Sequence, residues 1–265
     1  MGRDPGRENV PAVQKLRIQH AKRGRLRFTS HRDFQRAFER ALRRAHIPMA
    51  YSSGFSPHPK VSYANAAPTG VASEAEYVEI GVLQECDPVK VRAALNAVLP
   101  PGLDIIDVVV ATAGDFVARL EASVWQIELP EVEPVTAKHA FDTFMSASEV
   151  LVERMTKSGL RVFDARQAVL HGEMSDSPVA TSDLAIGRNS PVTPDKSVIE
   201  GLCAILTVVV QHGSPAVRPD DVLAALTKIA GLVPPVSPRI TRLAQGPLLA
   251  DGRSVSDPLD LDRST

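Results

Sequence analysis

The chain of 265 residues has only two cysteines, Cys86 and Cys203, and a single tryptophan. The cysteines stand far apart, with no partner at a ligand spacing. They fit neither a disulfide framework nor a zinc site, and they favour a reducing compartment. Aromatic residues are sparse at 5%, so Ala and Val carry most of the apolar content. No run approaches the ~18 consecutive apolar residues of a spanning helix. The N-terminal stretch has no apolar segment ahead of a small-residue cleavage site. A cytoplasmic protein without membrane contact is therefore expected. The chain also lacks a GxxxxGK[ST] loop, a GxGxxG turn after a strand, a CxxxCxxC run and any His/Asp/Glu spacing typical of a metal site. No cofactor is expected to be bound by the chain itself.

Charge is present in plenty and unevenly spread. Residues 1–60 hold 14 Lys or Arg against four acids, while the remainder holds 16 against 27. This asymmetry points to a polyanion as the partner of the basic half. A solvated basic face without a partner is the bland alternative.

Periodicity suggests two domains, each long enough to bury its own core. Residues 1–13 read as a disordered leader. Leu16 and Ile18 alternate with Arg17 and Gln19, a half-buried strand. Gly24 marks a turn, after which Leu26 and Phe28 resume the alternation. In "SHRDFQRAFERALRRAHIP" Ser30 is an N-cap and Asp33 the acid of a capping box. Phe34, Ala37, Phe38, Ala41, Leu42 and Ala45 form the apolar stripe, and Pro48 stops the helix near His46. "MAYSS" reads as a second strand. Tyr77, Val78 and Ile80 mark a third, with Glu76 and Glu79 available to face water. Asp87 and Pro88 open a helix, and "GLDIIDVVVAT" is a buried strand.

The second half is expected to repeat this order: a strand at "ASVWQIELP" and an amphipathic helix over 136–158 through Phe141, Phe144, Leu151 and Met155. A strand at "LRVFDARQAVL", a surface loop over 171–200 and strands and a helix from Leu202 to Leu243 follow. The fold class expected is α+β, two tandem ferredoxin-like (β-α-β-β-α-β) modules. They occupy 14–112, the basic one, and 121–246, the more acidic one, with a boundary near 112–121. Residues 247–265 read as a disordered tail.

Three constellations could carry chemistry. Ser30, His31 and Asp33 stand too close together on one helix start for a catalytic triad, whose members converge from separate elements. Ser30 and Asp33 are capping groups, which leaves His31 and Arg32 beside the positive end of the helix dipole, a place that suits phosphate. Arg36, Arg40, Arg43 and Arg44 lie mainly off the apolar stripe. The loop "YSSGFSPHPK" is stiffened by Pro57 and Pro59, with Gly54 free in its backbone, and would hold His58 and Lys60 in place. Tyr51, Phe55 and Tyr63 could stack on bases. The expected RNA- or anion-binding set is thus His31, Arg32, Arg36, Arg40, Arg43, Arg44, Tyr51, Phe55, His58 and Lys60. His31, Arg32, His58 and Lys60 are expected to share one exposed concavity.

The stretch from Arg25 to Ile80, with its Ser-His-x-Asp helix start, "ALRRAHIP" helix end and "GFSPHPK" loop, resembles the radical-SAM-linked family. These are bacterial proteins of unassigned function, encoded beside or fused behind a B12-binding-type radical SAM protein. The resemblance implies that any radical chemistry belongs to a partner, a radical SAM protein, and in some relatives the neighbourhood includes ribonuclease E/G. The function expected is a non-catalytic RNA-binding accessory protein that presents RNA to such an enzyme. Two alternatives stand beside it. One is a metal-independent endoribonuclease of the CRISPR-RNA-processing type, using His31 and His58 as acid and base. The other is a protein–protein adaptor without RNA contact.

Overall fold

The computed structural model describes residues 11–53, 55–112, 114–156, 159–175 and 202–263. It is a mixed α/β protein with mostly antiparallel sheet and, among the described residues, five α-helices. The chain divides into two units, 1–117 with 259–265, and 118–258. Among the described residues no helix is long and apolar enough to cross a membrane.

The first unit runs β1 (Gln14–Lys22), α1 (His31–Arg44), β2 (Val61–Ala64), β3 (Ala72–Val82), α2 (Pro88–Asn96) and β4 (Ile105–Val110). Its strands lie in the order β4-β1-β3-β2, with every neighbouring pair antiparallel. Alternation sorts β1 into two faces. Leu16 and Ile18 join Val78 and Ile80 of β3 in a core closed by Phe34, Phe38 and Leu42 of α1 and by Val91 and Leu95 of α2. The rings of Phe34 and Phe38 stack at 5.6 Å.

The caps form as the sequence predicts. The Ser30 hydroxyl accepts from the Asp33 amide at 3.2 Å, and the Asp87 carboxylate accepts from the Val89 amide at 2.8 Å. Helix α1 ends at Arg44, and His46 takes a left-handed conformation (φ 54°) ahead of Pro48.

Three local expectations are corrected. Gly24, at φ 53°, turns the chain out of the strand, and Gly24–Phe28 is a 3-10 turn rather than resumed strand. "MAYSS" gives only isolated bridges, Met49 to Val82 and Tyr51 to Pro59; the second strand is Val61–Ala64, which pairs with β3 at Val61↔Ile80. Glu76 does not face water. It is buried, because its carboxylate accepts from the Ala67 amide at 3.1 Å.

The second unit runs β5 (Ala122–Pro130), α3 (Pro134–Ser146), β6 (Leu151–Thr156), β7 (Gly159–Asp164), β8 (Val169–Ser175), β9 (Cys203–Gln211), α4 (Pro219–Ala230) and β10 (Arg239–Gly246). Strand order is β10-β5-β9-β8, again antiparallel, and β6 and β7 pair apart from it as a hairpin. The helix expected over 136–158 stops at Ser146, and Leu151 and Met155 belong to β6. Their spacing of four residues is a multiple of both the strand period and, nearly, the helix period, so it could not separate the two. "LRVFDARQAVL" likewise splits into β7 and the start of β8. The Asp164 carboxylate makes the turn by accepting from the Val150 and Arg166 amides at 2.8 and 2.9 Å. Residues 171–175, expected in a loop, belong to β8; 176–201 lie outside the described residues, as do 1–10 of the leader and Gly54.

Helix α4 opens with Pro219 and closes at Gly231, whose φ of 65° favours glycine. The Asp221 carboxylate accepts from the Arg218 amide at 2.7 Å and pairs with Arg154 of β6 at 2.6 Å. Burial still pushes that carboxyl up, outweighing the Arg218 amide and the Arg154 guanidinium.

The segment expected as a disordered tail is ordered as far as Arg263. Leu248 bridges Val255, and α5 (Asp260–Arg263) belongs with the first unit. Asp262 explains this: its buried carboxylate meets Arg17 of β1 at 2.6 Å. Val255 and Leu259 of the same segment are buried as well.

Gly172 of β8 lies against α3, where a Cβ would stand 2.3 Å from the Phe141 ring. Phe141 is buried and cannot swing into solvent. Gly172→Ala should therefore cost about 1–3 kcal/mol of stability through overpacking. A lowered urea midpoint at unchanged slope is the expected readout.

Candidate nucleic-acid interface

Helix α1 separates its residues by phase. Phe34, Phe38, Ala41 and Leu42 are buried, while Arg32, Arg36, Arg40, Arg43 and Arg44 are exposed on the opposite side. At 1.5 Å per residue the five guanidinium-bearing positions span about 18 Å of helix. Among the described residues only Arg36 has an ion-pair partner, Asp33 at 4.0 Å, with both side chains about 60% exposed. Such a pair contributes little. Arg25 is exposed just ahead of the helix, and the Arg27 guanidinium lies 4.9 Å over the exposed Phe28 ring.

The positive end of α1 already faces an anion. The Ser30 hydroxyl, besides capping, donates to the Asp33 carboxylate at 2.7 Å. An incoming phosphate at His31 and Arg32 would meet that carboxylate. Further along the helix the one carboxylate among the arginines is Glu39, half-buried and four residues before Arg43.

The loop 51–60 is a hairpin tip pinned to β3. Tyr51 bridges Pro59, the Ser52 amide donates to the His58 carbonyl at 2.8 Å, and the His58 amide donates to the Ser52 hydroxyl at 3.1 Å. At its base the Gly81 amide donates to the Lys60 carbonyl at 2.9 Å. Tyr51, Phe55 and His58 are exposed, Phe55 completely, and Lys60 is half-buried. His31 packs elsewhere, its ring edge-on to Tyr63 at 5.2 Å. Tyr63 stands three residues from Lys60, about 10 Å along the strand. The cavity at the start of α1 does not gather His31, Arg32, His58 and Lys60. Of these four, only His31 lines the cavity at the start of α1, which none of the described residues of 51–60 reaches. Pinning Lys60 at Gly81 is the physical reason. Nor does Tyr63 offer a stacking face, since it is wedged between His31 and Phe34.

That cavity holds residues the sequence reading passed over. His20, Lys22 and Glu76 line it, each buried. His20 stacks on Phe34 at 4.5 Å, and Lys22 Nζ donates to the Ala67 and Pro68 carbonyls at 3.2 and 3.0 Å. Lys22 and Glu76 thus clamp the loop after β2 from either side. The signal was readable: His20 and Lys22 continue the inward phase set by Leu16 and Ile18. At about 20 Å³ the cavity has room for one water. The Tyr63 hydroxyl beside it is buried without a hydrogen-bond partner, and burial, helped by Glu39, pushes its ionisation up.

The second unit contains a hydrogen-bonded serine and histidine. His212 Nδ1 lies 2.6 Å from the Leu120 carbonyl, which can only accept, so that nitrogen carries the proton. Nε2 then accepts from the Ser123 hydroxyl at 2.7 Å. The geometry is that of a nucleophile and base, but Ser123 is fully buried in β5. The pair is a structural clasp between β5 and the chain after β9.

Residues 15–219 match a family described as an uncharacterized protein conserved in bacteria (DUF2344). The chain belongs to that family. The match starts in β1 and ends at the first residue of α4. No curated protein matches the chain.

Two predictions follow from these buried groups. Tyr63→Phe removes a hydroxyl that is desolvated without a partner, so the variant should be as stable as the parent or about 1 kcal/mol more so. A clear loss in thermal unfolding would contradict it. For His212, burial above all holds the folded pKa below 6.5, with Arg242 adding to the depression and the Leu120 carbonyl opposing it. The unfolded chain then binds the proton more readily. The stability is fully present above about pH 6.5 and declines as pH falls through that value towards the folded pKa. His212→Gln should be less stable at pH 8 yet show a flatter decline of melting temperature between about pH 7 and pH 5.

Proposed function

We propose that this chain is a non-catalytic RNA-binding accessory protein whose α1 arginines contact phosphate. The observation that carries this reading is the row of five exposed arginines, of which only Arg36 has an ion pair among the described residues. Unneutralised charge at this density repels itself and is stabilised by a polyanion. We read both units as ferredoxin-like modules, from the matching orders β4-β1-β3-β2 and β10-β5-β9-β8, with the β6–β7 hairpin as an insertion in the second. In that fold RNA is often read by aromatics on the open sheet face. Here the corresponding face of the first unit is taken up: Arg17, Gln19 and Tyr77 are buried, with Phe116 against Arg17 and Tyr77. The helix side is left for binding, and phosphate contacts there would fix position more than sequence. Exposed Tyr51 and Phe55 in the hairpin tip add stacking surfaces within the same module.

The likeness of residues 25–80 to the radical-SAM-linked family supports a radical SAM modifying enzyme, or a ribonuclease of the E/G type, as the enzyme served. Residues 118–258 carry 13 basic and 17 acidic groups and would take the protein partner, not the RNA. The adaptor reading has one observation in its favour: Met155, Leu160 and Val162 are 73%, 58% and 54% exposed on the β6–β7 hairpin. The endoribonuclease reading needs His31 and His58 together, and of the two only His31 lines the cavity at the start of α1.

An electrophoretic shift against tRNA and rRNA fragments at two salt concentrations tests the RNA reading. Log affinity should fall by roughly 0.7–0.9 per log unit of salt for each phosphate neutralised. Replacing Arg36, Arg40 and Arg43 by Glu should weaken binding at least tenfold and reduce the salt slope by about 2–3. Absence of binding at low salt would end the proposal.

A further inference from the structure

Arg17 occupies a position that a nonfunctional strand residue does not need. It projects from the sheet face opposite the apolar core and is 2% exposed. Its Nε meets Glu79 at 3.1 Å, and its Nη2 donates to the Thr112 and Gly114 carbonyls at 3.2 and 3.3 Å. Nη1 donates to Asp262 Oδ1 at 2.6 Å. The same oxygen accepts from the Thr112 amide at 3.0 Å and from the Thr112 hydroxyl at 2.5 Å. Three donors, one of them charged, therefore converge on a single carboxylate oxygen. A backbone amide, a hydroxyl and a guanidinium aimed at one point make an oxyanion seat.

The group in that seat comes from far along the chain. Asp262 lies 150 residues from Thr112, on a helix of four residues. A helix this short has no stability of its own. Another ionic anchor is Arg263 on Asp107 at 2.6 Å, where both side chains are about one-third exposed and open to salt, and Leu259 at the head of the segment is fully buried. Beside the seat an open cavity of about 500 Å³ is lined by Lys15, Arg17, Thr112 and Gly114. Glu79 also lines it, with its charge taken up by Lys15 at 2.8 Å and by Arg17; exposed Glu85 completes the charged lining. Arg17, Thr112 and Gly114 thus line this cavity as well as holding Asp262, whose carboxylate is fully buried.

We infer that Arg17 and Thr112 form an oxyanion-binding site that the chain fills with its own Asp262, and that an external phosphate or carboxylate takes the seat when residues 259–263 withdraw. The C-terminal segment then acts as a competitor in cis. This site lies on the sheet face, apart from the α1 ridge, and does not depend on the RNA reading.

Thermal unfolding of the full chain tests it by anion rescue. Asp262→Ala should melt several degrees below the parent in chloride alone. Inorganic phosphate or acetate, at about 20 mM, should return about 2 °C or more to the variant, while the parent, with its seat filled, shifts by less than about 0.5 °C. Sodium chloride at matched ionic strength should not substitute. Rescue mainly by phosphate identifies a phosphate seat, and rescue mainly by acetate a carboxylate seat. Should Asp262→Ala fail to fold, Asp262→Asn keeps the shape and one acceptor, and its smaller rescue carries the same test. Equal shifts in parent and variant, or equal effects of chloride, would overturn the inference.

Discussion

The buried guanidinium of Arg17 is the constraint around which the first unit is arranged. A charge that deep is tolerated only when its donors are met. Glu79 on the neighbouring strand, the carbonyls of Thr112 and Gly114 after β4, and Asp262 from the end of the chain each meet one. These groups come from three stretches that local sequence does not connect. The requirement to satisfy one side chain fixes where the chain runs after β4 and brings a polar terminal segment into register with β1. It also closes that face of the sheet.

With the sheet face closed, charge elsewhere sorts by phase. On α1 the arginines point away from Phe34, Phe38 and Leu42, and they stay solvated. On β1 the inward phase that begins with Leu16 and Ile18 continues into His20 and Lys22, which are drawn under the start of α1. Lys22 is tolerated there because two carbonyls accept from it. The same residue types therefore do opposite things in adjacent elements. The arginines make an outward field, and the buried lysine and glutamate hold a loop.

Much of the first unit was legible. Ser30, Asp87 and Pro88 marked helix starts because capping chemistry is local, and Phe34, Phe38 and Leu42 marked the buried stripe because one helix period fits within a few turns. The arginine ridge was legible for the same reason. The 3-10 turn at Gly24, the split of the expected second-half helix at Ser146 and the true second strand at Val61–Ala64 were not. At Gly24 a positive φ turns the chain, and in the other two cases short-range spacing leaves the element open until pairing with another strand decides it.

The candidate site divides along the same line. That His31 starts a helix and that Lys60 follows a stiff loop can be read from the residues. Whether they meet depends on where the loop is pinned, and it is pinned at Gly81 of β3. The sequence by itself determined the helix caps, the apolar stripes and the charge imbalance, all of which rest on neighbours within about four residues. Tertiary structure alone decided that Glu76 is buried, that His31 lines a cavity which His58 does not, and that Asp262 reaches Arg17. Those outcomes depend on strand register and on the partners a buried charge must find, and neither is encoded at short range.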